Sequence, residues 1–174
     1  MDSDYRKTTN LFLRYLTILI LGTGNFYLIY KALTPLTIHT TNLLLNIFTP
    51  TTLTEDIIRF NQATIQIVPS CVAGSAFYLL LILLFSTANI KPTTRLYAIL
   101  TATATLFILN ITRILILASL TTTPNFETIH WIFWHIVSTI FVAATYIATT
   151  KLYKIKSIPV YSDIKYLKNL TKKH

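Results

Sequence analysis

Charge is scarce in this chain and lopsided where it occurs. Charged residues are 12% of its 174 residues, with fifteen Lys and Arg against six Asp and Glu. Hydrophobic residues exceed half of the total and the mean hydropathy is positive, a balance that a soluble domain of this size rarely shows. The chain therefore reads as an integral membrane protein. It has no visible linker or tandem repeat, and no room for a soluble domain beside several spans, so residues 1–174 read as one membrane domain. Cysteine occurs once, as Cys71, which excludes an intramolecular disulfide and leaves the redox compartment unmarked. No Cys/His cluster has metal-ligand spacing. His130 and His135 are five residues apart, about 140° around a helix, so they cannot grip one ion from one face. Neither a metal nor a cofactor is expected.

The formal charge of +9 does not require a nucleic-acid partner. Much of it lies between Lys151 and His174, where seven lysines meet Asp163 alone. A basic segment after the last apolar run fits a cytoplasmic tail lying on the lipid bilayer.

Four stretches are long enough to cross roughly 30 Å of hydrocarbon at about 1.5 Å per residue: Leu11 to Tyr30, Cys71 to Ile90, Leu96 to Leu120 and Ile129 to Thr150. A fifth apolar segment, Leu36 to Phe48, is short and carries His39, Asn42 and Asn46; it suits a short span, a re-entrant piece or an interfacial helix. The expected fold is an all-α polytopic bundle with four long spans plus this short segment. The first helix exceeds a signal-peptide core and has no obvious small-residue cleavage site, so it reads as a retained anchor. Lys91, Arg95 and the basic tail set the cytoplasmic side, which turns Pro50 to Ser70 and Thr121 to Thr128 outward. Arg6, Lys7 and Arg14 favour a cytoplasmic start, as four passes would require; five would put the N-terminus outside.

Antiparallel packing of these helices brings Cys71, Arg113 and His135 toward one leaflet. Arg113 lies seven residues before Leu120 and His135 six after Ile129, so each sits about 10 Å below its helix end. An arginine within a span costs about 2.5–3.5 kcal/mol, which thirteen Leu, Ile and Phe between Leu96 and Leu120 outweigh at roughly 0.3–0.6 kcal/mol each. Arg113 either snorkels to the headgroups or lines a protein pocket. Asn110, three residues earlier on the same face, favours the pocket.

Pro69 and Ser70 suit a helix start and place Cys71 in the first turn, where unpaired amides and the helix dipole favour a thiolate. A lone cysteine in an apolar helix is more commonly inert packing; the convergence with Arg113 gives it chemical meaning. Gly74 permits close approach of a substrate backbone, and Ser75 is a nearby hydrogen-bond donor. Either His130 or His135 can face the bundle, and His135 is the deeper of the two.

The run Ile67-Val-Pro-Ser-Cys-Val-Ala-Gly-Ser75, then Asn110-Ile-Thr-Arg-Ile114, then His135 in a tryptophan-containing last helix, resembles the exosortase/archaeosortase family, most closely its compact archaeal members. The likeness spans roughly residues 65–146, the expected catalytic core, ahead of a basic tail at 151–174. It implies a membrane cysteine transpeptidase acting on exported proteins that carry a C-terminal motif, a transmembrane helix and a basic cluster. By the same resemblance Cys71 is the nucleophile, Arg113 the transition-state stabiliser and His135 the general acid/base. A lipid, an amine or water would accept the acyl group at the outer membrane face. A membrane scaffold or transporter subunit, with Arg113 and Asn110 binding a partner helix, is the non-enzymatic alternative.

Overall fold

The apolar runs fold as helices, and the polar stretch between the first two forms a small sheet. The computed structural model describes residues 2–61 and 63–171. Helix α1 (Asp2–Phe48) takes up both the first expected span and the short segment Leu36 to Phe48. It bends where Gly24, Asn25 and Phe26 adopt left-handed backbone angles (φ 61°, 55° and 63°). Gly and Asn tolerate that region; Phe26 does not, and its ring packs against Tyr78 at a centroid distance of 4.8 Å.

Strands β1 (Thr51–Thr54), β2 (Ile57–Phe60) and β3 (Ala63–Gln66) then form an antiparallel meander in that order. The expectation of helices holds for most of the chain, and this sheet is the departure from an all-helical fold. Ile58 and Phe60 alternate with Arg59, a period of two that buries one face, and Glu55 and Asn61 take the positive φ that tight turns need. Ile58, Phe60 and Ile67 join Ile38, Leu45, Ile111 and Ile114 in an apolar cluster, so the sheet caps one end of the bundle.

The expected span from Cys71 to Ile90 is interrupted. A single turn, α2 (Pro69–Val72), ends at Ala73 in the left-handed region (φ 59°), and α3 (Gly74–Phe85) follows. Helix α4 (Pro92–Ser119) is continuous. The last apolar run comprises α5 (Phe126–Ile132), a π-helical turn (Phe133–Val137) and α6 (Ser138–Leu152). Among the described residues, three helical stretches are long and apolar enough to cross a membrane: Tyr5–Phe48, Pro92–Ser119 and Phe126–Leu152; Pro69–Phe85 is shorter. A second cluster, including Ile29, Phe77, Leu80, Ala102, Leu106 and Val142, holds α1, α3, α4 and α6 together at mid-height.

At the end opposite the sheet, the basic tail forms α7 (Tyr161–Thr171), and its only acid is buried rather than solvated. Residues 172–174 of that tail lie outside the described residues. Asp163 Oδ1 pairs with Arg14 Nη2 at 2.6 Å, and Tyr15 donates to Oδ2 at 3.2 Å. Arg14 Nη1 donates to the carbonyls of Phe85 (3.2 Å) and Thr87 (3.0 Å), where α3 ends. One guanidinium thereby ties the N-terminal helix, the α3–α4 connection and the tail into one end of the bundle.

Removing one partner of a buried ion pair strands the other charge, so Asp163→Ala is expected to cost about 3–5 kcal/mol, read by denaturant unfolding in detergent micelles. The double variant Arg14→Leu, Asp163→Leu should regain part of that loss. Full recovery would mean that the Phe85 and Thr87 carbonyls do not need Arg14.

Candidate active site

The break at Ala73 governs the site. An uninterrupted helix would satisfy the carbonyls of Ser70 and Cys71 four residues on; a left-handed residue at 73 breaks that ladder and releases them. Buried carbonyls without donors cost about 1–3 kcal/mol each, and the neighbouring span supplies the donors. Arg113 Nη2 donates to Cys71 O at 3.1 Å and Ser70 O at 3.3 Å, and Asn110 Nδ2 donates to Cys71 O at 2.9 Å. Arg113 Nη1 donates to Ser138 Oγ at 2.6 Å, crossing to the last helix. Arg113 is only 4% exposed, so it does not snorkel; its spacing of three from Asn110 puts both on one buried face.

The π turn explains why Ser138 is available. Its hydroxyl donates to the carbonyl of Phe133, five residues back, at 2.9 Å. The wider turn shifts the register of residues three apart, so Ser138 meets Arg113 while His135 does not. His135 is exposed, Nδ1 lies 3.0 Å from Trp131 O, and its ring packs between Trp131 and Trp134 at 4.6 and 4.4 Å. His130 stacks on Phe126 at 5.8 Å.

Two cavities flank Arg113. One, of about 250 Å³, is lined by β3 and residues 67–68, by Cys71, by the C-terminal part of α4 and by Phe126 and His130. The other, of about 410 Å³, lies among Tyr30, Ser70, Ser75, Trp134 and Ser138. The structure thus gathers Cys71, Arg113 and His130 around one cleft. His135 lines neither cavity, and Ser75 faces the second. Gly74 serves packing: a Cβ there would come within 2.6 Å of the Tyr30 ring, so the close approach is by an aromatic side chain of the chain itself.

The half-buried Cys71 thiol makes one weak contact, to Gln66 O at 3.9 Å. Its own N–H donates to Val68 O at 2.8 Å. Activation by the dipole of a long helix, expected from the sequence, is not available, because α2 is one turn and the longer α3 starts only at Gly74. The guanidinium of Arg113 is the positive charge beside the cysteine. Its Nε has no hydrogen-bond partner among the described residues, which leaves one donor uncommitted. The site can therefore present a thiol, a fixed cation and an imidazole to a group in the cleft.

Among the residues that sequence reasoning passed over, Ser138 orients Arg113 and Gln66 receives the thiol. No protein-family model, no curated protein and no solved structure matches this chain.

Arg113→Ala removes charged donors from two freed carbonyls and is expected to cost about 2–3 kcal/mol of stability in micelles, against about 1 kcal/mol for Asn110→Ala. Equal losses in the two variants would show that Arg113 does not hold the break.

Proposed function

We propose that this chain is a multi-pass protein of the cell membrane that acts as an outward-facing cysteine transpeptidase. The observation that carries the reading is the shared cleft in which Cys71, the buried Arg113 and His130 meet beside the capping sheet. Its family-level support is the resemblance of the Cys71 and Arg113 motifs to exosortases and archaeosortases; the resemblance names His135 as the histidine, and the lining of the cleft is what favours His130.

The bundle makes four passes in this reading: α1, α2 with α3, α4, and α5 through α6. Arg14 and Asp163 meet at one end, so the start of α1 and the tail share a side. Lys91, Arg95 and the tail lysines assign that side to the cytoplasm, and the sheet and cleft then face outward. The substrate is an exported protein with a C-terminal motif, a transmembrane helix and a basic cluster, whose motif would reach the cleft as its helix lies beside the bundle.

In the reaction, His130 takes the Cys71 proton and the thiolate attacks the scissile carbonyl carbon. The oxyanion forms beside the Arg113 guanidinium, where a fixed charge in a poorly hydrated site is most effective. Collapse breaks the C–N bond, His130 returns the proton to the leaving amine, and a thioester remains on Cys71. An acceptor amine or a hydroxyl group, on a lipid for instance, then displaces the thiolate, His130 taking the acceptor's proton. Water in place of that acceptor makes the same site a peptidase.

One observation favours a second, non-enzymatic reading. Arg113 spends most of its donors on Ser70, Cys71 and Ser138, as a purely architectural clamp in a scaffold would.

Co-expression with a companion protein bearing such a C-terminal signal tests the readings. Cys71→Ala should remain in the membrane and abolish maturation; unchanged processing would remove Cys71 as nucleophile. His130→Ala should slow maturation by about 10²-fold or more, the usual size of general acid/base assistance, while His135→Ala should have a smaller effect. The mass of the mature C-terminus then reports the acceptor: an added group for transfer, a free carboxylate for hydrolysis.

A further inference from the structure

β3 is an edge strand, with β2 on one side and no strand on the other among the described residues. Its register fixes what that edge presents. Phe60 stands opposite Ala63 and Ile58 opposite Ile65, and Ile67 N–H donates to Asp56 O at 2.9 Å. Backbone groups alternate in direction along an antiparallel strand. Ala63, Ile65 and Ile67 turn theirs toward β2, so Thr64 and Gln66 turn their N–H and C=O groups to the free side. The Gln66 carbonyl also accepts from Val68 N–H at 3.2 Å and lies 3.9 Å from Cys71 Sγ, so this edge runs up to the thiol.

Thr64 through Val68 line one side of the cleft that contains Cys71, and Ile114, Leu117 and Phe126 line it elsewhere. Exposed edges are ordinarily blunted by lysine, proline or an inward charge. The strand Ala63–Gln66 carries none of these.

We propose that the cleft binds an extended peptide as a fourth strand on β3, paired through Thr64 and Gln66, which delivers its scissile carbonyl to Cys71. This rests on the reading of Cys71 as an acyl-transfer nucleophile. The chemistry of the occupant follows from its setting: a peptide drawn toward a bilayer loses water from its backbone amides, and those amides need partners. An edge strand supplies them whatever the side chains, while alternate side chains of the peptide would meet the apolar lining. The partner class is therefore an extended polypeptide with apolar residues at alternate positions, rather than a lipid or a folded surface.

Proline at an edge position whose N–H points outward deletes one donor and spares the existing ladder, so Thr64→Pro is the informative variant. The whole protein in detergent is treated with a randomised pool of acetyl-hexapeptide chloromethyl ketones and, separately, with iodoacetamide. Each alkylates a thiol: a carbon–sulfur bond forms, halide leaves and the thiol proton goes to buffer. Cys71 should react faster with both than an ordinary exposed thiol. Thr64→Pro should slow the peptide pool about three- to tenfold, the worth of one hydrogen bond, and leave iodoacetamide unchanged. A pool N-methylated along its backbone should be slowed similarly on the unmodified protein, an arm that stands if Thr64→Pro does not fold.

If Cys71 reacts fast with iodoacetamide but the peptide rate ignores both proline and N-methylation, the strand-addition proposal is overturned and the nucleophile reading stands. If Cys71 reacts with both reagents no faster than an ordinary thiol, the nucleophile reading itself falls.

Discussion

Everything at the sheet-capped end of this bundle depends on how the break at Ala73 is satisfied. A left-handed residue inside an apolar helix releases carbonyls that neither lipid nor a hydrocarbon core can solvate. Arg113 and Asn110 bind them, and Ser138 holds the other arm of the guanidinium. The arrangement resolves two costs together, since the buried cation needs acceptors and the buried acceptors need donors. It also fixes the relative positions of α2, α4 and α6; α2 and α4 line both cavities beside Arg113, and α6 lines the larger one.

The opposite end uses the same chemistry with a different closure. Arg14 also reaches carbonyls at the end of an interrupted span, at Phe85 and Thr87, but Asp163 balances its charge. Among the described residues Arg113 has no carboxylate partner, only neutral oxygens. That difference separates the two ends: the paired arginine is electrically complete, whereas Arg113 keeps a positive field next to Cys71 and a buried Nε–H without a partner among the described residues. Placing the unpaired cation at the end capped by the sheet puts it where an extended chain could approach β3 and Cys71 together.

Much of this was legible before folding. The length and apolarity of the runs foretold the helices, and the spacing of Asn110 and Arg113 foretold a common face. What escaped was the polar stretch 50–70, read as a loop because its strands are four residues long and its alternation of Ile58 and Phe60 is brief. Depth counted from helix ends favoured His135, but the π turn and the tryptophans leave it outside the cleft that His130 lines.

The sequence by itself determined the ingredients: apolar runs long enough for membrane-spanning helices, an excess of basic charge, a single cysteine, and an arginine and asparagine three apart in the third long run. Hydropathy and spacing report those because they act locally along the chain. Only the tertiary structure decided which of these groups meet, that the tail's single acid is buried against Arg14, and that an open strand edge leads to the thiol. Those outcomes depend on one left-handed residue, one widened helical turn and the register of three short strands. Each changes the direction of a group by a fraction of a turn, and so decides which side chains share a cleft.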